Sequence, residues 1–337
     1  MKLIRHPANP ILSPNPANAW EALVTTNPAA WYDEREGVVY LLYRAAGADP
    51  EHRITFGLAT STDGVHFERQ SHQPVFCPSL DGLDAGCVED PRVIKMGDWY
   101  YVTYAARPYP PGQYWLTQPS TPAFWLDFPP EFPPQLRTNA TTTGLALTRD
   151  FRTWKRAGLL TSPTGDDRDV MLFPEKINGK FVKIHRPMNW VGPQYGTDYP
   201  AMWISTGDDL LSWGESKLLI KASLPWENRK IGGNTPPLRT PAGWLTLYHA
   251  VGADGHYRLG ALLLDLDDPS QVIGRSRDWL MQPEEWYELE GYYPGVCFPC
   301  GKVLIGDTLY IYYGGADKYI GLATCKLQEL LEDLTQP

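Results

Sequence analysis

The sequence predicts an all-β fold, a five-bladed β-propeller with a short C-terminal helix, in which residues 1–337 form one domain. Three observations carry this expectation. One pattern, an aromatic or apolar strand followed after a variable loop by a small-residue strand, recurs five times along the chain. The 32 prolines and 30 glycines supply turns for many short strands. Apolar periodicity of helical length is scarce before the last residues. A repeated four-stranded sheet cannot hide both faces alone, but it can pack against its neighbours in a ring. Two packed sheets made of the same meanders are the alternative, because strand counts alone do not decide closure.

In order, the chain enters through an irregular segment, Asn9-Pro10-Ile11-Leu12 to Trp20. A candidate strand around Ala29 to Tyr32 precedes two β-rich runs, Val38 to Arg44 and Ile54 to Thr60; the turn Asp63-Gly64 then leads to a shorter run, Val65 to Glu68. These make one unit of four strands. The unit returns as Trp99 to Ala105 with Gly144 to Thr148, as Phe181 to His185 with Met202 to Thr206, and as Trp244 to His249 with Gly260 to Leu264. The fifth copy pairs Leu309 to Tyr313 with Ile320 to Thr324, and three of the five carry Gly-Leu-Ala in the second strand. Leu327 to Leu334 reads as a short amphipathic helix, a packing element within the tail 326–337. One segment breaks the rhythm: residues 107–137 are rich in proline and aromatic side chains, among them Tyr114, Trp115, Phe124, Trp125, Phe128 and Phe132. A connection this long inside a compact domain is either functional, here a lid or a wall for sugar rings, or packed on a neighbouring blade.

Charge and cysteine usage exclude several classes. A formal net charge of -9 argues against nucleic acid or an anionic membrane as partner. No run of 18 apolar residues is present to span a membrane, and the first residues hold no apolar stretch of signal-peptide length. The five cysteines, Cys77, Cys87, Cys297, Cys300 and Cys325, are odd in number and read as free thiols, so a cytoplasmic location is expected. Cys297 and Cys300 have ligand spacing but lack a second pair, so no metal is expected.

The stretch with the most chemistry is Val88-Glu89-Asp90-Pro91-Arg92. Proline biases Asp90 toward an extended conformation, in which Asp90 and Arg92 would point together into one space and Glu89 and Pro91 away from it. Such a pair is either a proton donor beside an anion site or a buried ion pair. In a propeller the inner strands and loops of every blade converge on one channel, so polar residues at equivalent places can meet. Asn27, Arg44, Arg168, Asp169, Arg186, Lys230, His249, Glu288, Glu290 and Asp317 are further candidates. Arg168, Arg186, Lys230 and His249 form a cationic set suited to a tetrahedral oxyanion. The alternative is that each pairs separately with an acid such as Asp166, Asp167 or Glu175.

Glu89-Asp90-Pro91-Arg92, Arg168-Asp169 with Leu172 to Lys180, His185-Arg186-Pro187, and Tyr312 to Asp317 with Ile320 to Thr324 closely resemble glycoside hydrolase family 130. The resemblance runs from Asn9 to Cys325 and weakens over 107–137. It implies a five-bladed propeller and inverting phosphorolysis of β-mannosides, with β-1,2 or β-1,4 linkage open, giving α-mannose 1-phosphate and a shortened acceptor. It further implies Asp90 as general acid, acting through a sugar hydroxyl. Phosphate would sit on Arg168, Arg186, Lys230 and His249, with Arg229 competing for the place of Lys230. Asn27, Arg44, Arg92, Asp317 and one of Glu288 and Glu290 would bind the sugar. The partners implied are a manno-oligosaccharide and inorganic phosphate as co-substrate, with no cofactor; whether the chain forms a homo-oligomer is open. Arg92 next to Asp90 would lower a pKa that an acid needs raised. An inverting hydrolase of the same family, using Glu288 or Glu290 as base, and a sugar-binding propeller without turnover are the alternatives.

Overall fold

The chain opens with a two-residue strand, β1 (Ile4–Arg5), whose partner lies at the far end of the sequence. Antiparallel sheets then follow one another. Blade 1 is β2 (Val24–Asp33), β3 (Val38–Ala46), β4 (Ile54–Ser61) and β5 (Glu68–Arg69). Blade 2 is β6 (Cys87–Met96), β7 (Trp99–Arg107), β8 (Thr142–Thr148) and β9 (Lys155–Leu159). Blade 3 is β10 (Asp167–Leu172), β11 (Phe181–Pro187), β12 (Met202–Gly207) and β13 (Lys217–Ile220). In blade 4, β14 (Lys230–Gly233) and β15 (Leu238–Thr240) share the inner edge of β16 (Gly243–Val251), with β17 (Tyr257–Leu264) and β18 (Val272–Arg275) outside. Blade 5 is β19 (Cys297–Ile305), β20 (Thr308–Gly315) and β21 (Tyr319–Lys326), and β1 supplies its fourth strand, Ile4 opposite Thr324. This computed structural model describes residues 1–113, 115, 129–131, 137 and 139–336.

The five sheets form a ring, because each interface between neighbours has its own apolar cluster. Leu42 and Phe56 meet Val93 and Val102 between blades 1 and 2, Ile94 and Leu145 meet Val170 and Leu172 between 2 and 3, and Met171 and Ile184 meet Ile231 and Trp244 between 3 and 4. Leu245 and Leu247 meet Tyr313 and Ala323 between 4 and 5, and Tyr312 and Ile320 meet Leu41 and Tyr43 where blade 5 returns to blade 1. The C-terminal helix α2 (Leu327–Thr335) follows the short helix α1 (Trp286–Leu289) and adds Leu330, Leu331 and Leu334 to the cluster between blades 4 and 5. Burial of these side chains, at roughly 1.5–3 kcal/mol each, is the main force closing the ring.

A shared device explains the Gly-Leu-Ala repeats. In four blades a tyrosine on the second strand lies opposite a glycine on the third: Tyr43 and Gly57, Tyr104 and Gly144, Tyr248 and Gly260, Tyr313 and Gly321. The ring lies over its glycine so closely that an added Cβ would stand 2.2 to 2.5 Å from ring atoms. Each hydroxyl donates to a buried acid ahead of the inner strand: Tyr43 to Glu21 (2.9 Å), Tyr104 to Asp84 (3.0 Å), Tyr248 to Glu227 (2.7 Å) and Tyr313 to Glu288 (2.8 Å). Each acid in turn pairs with an arginine on the outermost strand, namely Arg69 (2.9 Å), Arg156 (2.6 Å), Arg275 (2.6 Å) and Arg5 (2.8 Å). Blade 3 departs from this with His185, which pairs with Asp167 at 2.7 Å.

The fold corrects two boundaries. The run Val65 to Glu68 is a turn at first, because Asp63 Oδ1 accepts the backbone N–H of Val65 and of His66, and strand β5 starts only at Glu68. The segment around Ala29 belongs to a ten-residue strand that begins at Val24. Tyr114, Phe124, Trp125, Phe128 and Phe132 of the aromatic segment lie outside the described residues. Trp115 stands 4.4 Å from the ring of Tyr292 and 4.5 Å from that of His52. All five cysteines are free thiols, four of them buried. Among the described residues no helix is long and apolar enough to cross a membrane.

Candidate active site

Three inner strands carry the same irregularity. β2, β6 and β10 each shift register, between Thr26 and Ala29, Glu89 and Arg92, and Arg168 and Met171. In each shift sits an Asn or Asp in the left-handed region: Asn27 (φ 45°), Asp90 (φ 50°) and Asp169 (φ 56°). These residue types tolerate that conformation best after glycine, and a bulge re-aims the side chain it holds. Pro28 and Pro91 follow two of them; lacking an N–H, they leave no ladder donor unpaired at the bulge. Three polar side chains from three blades thereby turn into the channel. Asp317 (φ 53°), in the turn between β20 and β21, joins them from blade 5.

The cavity at this mouth has a volume of about 420 Å³ and is lined from all five blades. Asn27, Arg44, Asp90, Arg168, Arg186, Lys230, His249 and Asp317 are brought together around it. Asp90 Oδ1 accepts hydrogen bonds from Asn27 Nδ2 (2.8 Å) and Arg44 Nη1 (3.3 Å), leaving Oδ2 as the oxygen available to a ligand. Arg44 Nη1 also lies 3.4 Å from Glu89 and 3.9 Å from Asp317, so one guanidinium ties three carboxylates together. On the other side, Arg186 pairs with Asp169 at 2.6 Å and Arg168 holds Asp166 with two bonds of 2.6 and 2.7 Å. Both readings of the cations therefore hold in part: Arg168 and Arg186 are ion-paired, yet they face one recess with Lys230 and His249. Asp167 and Glu175 are taken by His185 (2.7 Å) and Arg239 (3.2 Å). Arg229 is exposed and lies off the cavity, which Lys230 lines.

The electrostatics follow from burial against these partners. Burial pushes Asp169 up, but the Arg186 and Arg92 guanidiniums outweigh it and hold its carboxyl well below the usual range. Glu89 is likewise raised by burial and lowered further by Arg107 and Arg44, ending near about 2. Lys230 is brought down to about 7, first by burial and then by Arg186, with Asp169 opposing; its amine donates to the Tyr257 hydroxyl. A recess that depresses a lysine in this way favours an anion.

Three expected placements are corrected. Arg92 does not share the space of the Asp90 carboxylate: the bulge breaks the two-residue alternation, so Arg92 turns beneath the cavity, donating to the Asp90 backbone carbonyl (2.9 Å) and pairing with Asp169 (3.2 Å). Glu89, expected to face away, lines the cavity and pairs with Arg107 at 3.1 Å. Neither Glu288 nor Glu290 lines it. Glu288 is fully buried, bound by Arg5 and Tyr313 and closing the N-terminus of α1, and Glu290 is exposed at the end of that helix. Sequence reasoning also missed Tyr257, Tyr293 and Phe298, which give the cavity aromatic walls. Asn27-Pro28 and Asp90-Pro91 at equivalent places in consecutive blades were the signal for the shared bulge.

A propeller whose channel mouth sets an acid, with one oxygen unbonded among the described residues, beside a cationic recess has the parts that an enzyme of glycosyl transfer needs. The chain belongs to glycoside hydrolase family 130: the family's profile, described as beta-1,4-mannooligosaccharide phosphorylase, matches residues 2–118 and 136–336. It is 35% identical to a 1,2-beta-oligomannan phosphorylase of Thermoanaerobacter sp. (strain X514), over 98% of this chain and 99% of the relative. Identity is 28% to a beta-1,4-mannooligosaccharide phosphorylase of Ruminococcus albus, over 97% of this chain and 89% of that one. The solved beta-1,2-mannobiose phosphorylase of Listeria innocua, in complex with beta-1,2-mannobiose, superposes with a TM-score of 0.79 at 26% identity, covering 99% of both chains.

Proposed function

We propose that this enzyme carries out inverting phosphorolysis of β-1,2-linked mannosides, releasing α-mannose 1-phosphate and an acceptor one mannose shorter. The observation that carries the reading is the single cavity in which the Asp90 carboxyl and four basic side chains from blades 3 and 4 meet. Phosphate held by Arg168, Arg186, Lys230 and His249 attacks the anomeric carbon from one face. Asp90 Oδ2 delivers a proton toward the leaving oxygen on the other, directly or through a sugar hydroxyl. Asn27 and Arg44 fix the acid through Oδ1 and, with Asp317, hold the mannose. The five blades act as one catalytic unit, since each contributes to the cavity wall. The β-1,2 linkage is supported by the oligomannan phosphorylase relative, which is more similar than the β-1,4-acting one. The five free thiols support a reducing, cytoplasmic setting.

Hydrolysis needs a carboxylate base to activate water opposite the acid. Glu288 and Glu290 lie off the cavity, and Glu89 and Asp169 are pinned between arginines. The test is to incubate the protein with β-1,2- and β-1,4-mannobiose, with and without inorganic phosphate, and separate mannose 1-phosphate from mannose. Mannose 1-phosphate formed only with phosphate, and faster from the β-1,2 substrate, is expected. Free mannose at an undiminished rate without phosphate would overturn phosphorolysis. Turnover that persists in Asp90→Asn would remove the acid from its role.

A further inference from the structure

The phosphate recess contains one atom whose chemistry is opposite to that of its neighbours. Asn234, just after β14, is completely buried, and its Nδ2 donates to the backbone carbonyl of Pro299 at 2.8 Å. A carbonyl can only accept, so the amide orientation is fixed and its Oδ1 is the atom facing His249 Nδ1 at 3.3 Å. Two acceptors do not face each other, and the ring proton therefore belongs on Nδ1. In the neutral imidazole Nε2 is then a bare lone pair.

That nitrogen is buried and has no hydrogen-bond partner among the described residues; the nearest acid, Asp169 Oδ2, is 3.8 Å away, beyond a hydrogen bond. The ring is held between Tyr257 (5.4 Å) and Phe298 (4.9 Å). The charged groups around it are Asp169 on β10, Arg186 on β11, Lys230 on β14 and Arg92 on β6. Burial, aided by the three cations against Asp169, holds the imidazole well below its usual pKa, hence neutral at neutral pH. Arg168, Arg186 and Lys230 can only donate to an anion, whereas Nε2 can only accept.

We propose that His249 selects a tetrahedral oxyanion that still carries a proton, so that the site takes hydrogen phosphate, whose P–OH donates to Nε2, and rejects sulfate, which has no proton to give. The inference rests on the phosphorolytic reading of this cavity and adds a filter to it. Sulfate would set a lone pair against a lone pair in a dry recess, or require His249 to be protonated first. Leaving a buried polar group opposed rather than paired costs enough to weaken sulfate about tenfold or more relative to phosphate.

The experiment titrates the whole protein with sodium phosphate and with sodium sulfate by calorimetry at one pH just above neutrality, where both anions are divalent and His249 is neutral, and repeats both with His249→Leu. In the wild type, phosphate should bind at least about tenfold tighter than sulfate. In His249→Leu the ratio should fall toward one, phosphate losing the acceptor for its P–OH and sulfate losing the lone pair that opposes it. Sulfate binding as tightly as phosphate in the wild type overturns the filter even if the variant does not fold. If mannose 1-phosphate is still produced in that case, the phosphorolytic reading stands and only this inference falls; if neither anion binds and none is produced, both fall.

Discussion

Gly232 makes room by omission. A Cβ there would stand 2.3 Å from Asp169 Oδ2, 2.6 Å from Arg186 Nε and 2.6 Å from His249 Cε1, three side chains that meet over the bare backbone of β14. Gly232→Ala should raise the phosphate KM about tenfold or more while leaving most of the fold's thermal stability, as steady-state kinetics beside a melting curve will read. Lys230 gives the site a pH dependence whose sign is fixed. Its pKa near about 7 means that it loses its charge as pH rises through that value, so phosphate KM should climb on the alkaline side. Lys230→Arg, charged throughout, should flatten that climb. Asp90→Asn should lower kcat by about 10²–10⁴ with mannoside binding retained, measured by turnover and by calorimetry on the inactive protein. At this scale the sequence was half readable. The identity of Asp90 and of the cations could be picked out as charge in strand-rich contexts. The direction of Arg92 could not, because one inserted residue at the bulge reverses every inference drawn from two-residue alternation.

Among the elements, the tyrosine, glycine, acid and arginine sets behave as one fastener used four times. Their glycine end was legible, since Gly-Leu-Ala recurs in the third strands. Their acidic end was not: Glu21, Asp84 and Glu227 lie just ahead of inner strands, but Glu288 sits within α1, with the following turn between it and β19. Proximity to Tyr-Glu-x-x-Gly made Glu288 look like a sugar ligand, whereas its oxygens are occupied by Arg5, Tyr313 and the backbone of α1. Glu288→Ala removes the buried acceptor shared by Arg5 and Tyr313 and should cost about 1.5–3 kcal/mol of stability, with the mannoside KM of the surviving folded enzyme unchanged. A large rise in that KM at unchanged stability would instead return Glu288 to the substrate. Gly321→Ala, which drives a methyl group to 2.4 Å from the Tyr313 ring, should destabilise by about 1–3 kcal/mol in chemical denaturation.

Over the whole molecule, five recurrences of a strand pair announced five blades, and the interfacial clusters show why the count matters: each sheet needs a neighbour on both sides. How the ring closes could not be read, because Ile4–Arg5 is too short a strand to announce itself and pairs with residues more than three hundred positions away. The amino group of Met1 adds an ion pair with Asp333 of α2 at 2.7 Å, tying the segment ahead of β1 to the C-terminal helix. Removing residues 1–5 should expose the edge of β21, unpair Glu288 and lower the melting temperature of the entire propeller in one transition, by calorimetry.

Strand β1 must therefore wait for β21 to be made. Until Tyr319–Lys326 has emerged, Ile4–Arg5 has no edge to join, and blade 1 has no blade 5 against which to bury Leu41 and Tyr43. A nascent chain can stack its early blades as they appear, but it carries an open, adhesive flank through almost the whole of translation. The binding cavity, which draws on all five blades, comes into being only after blade 5 has emerged.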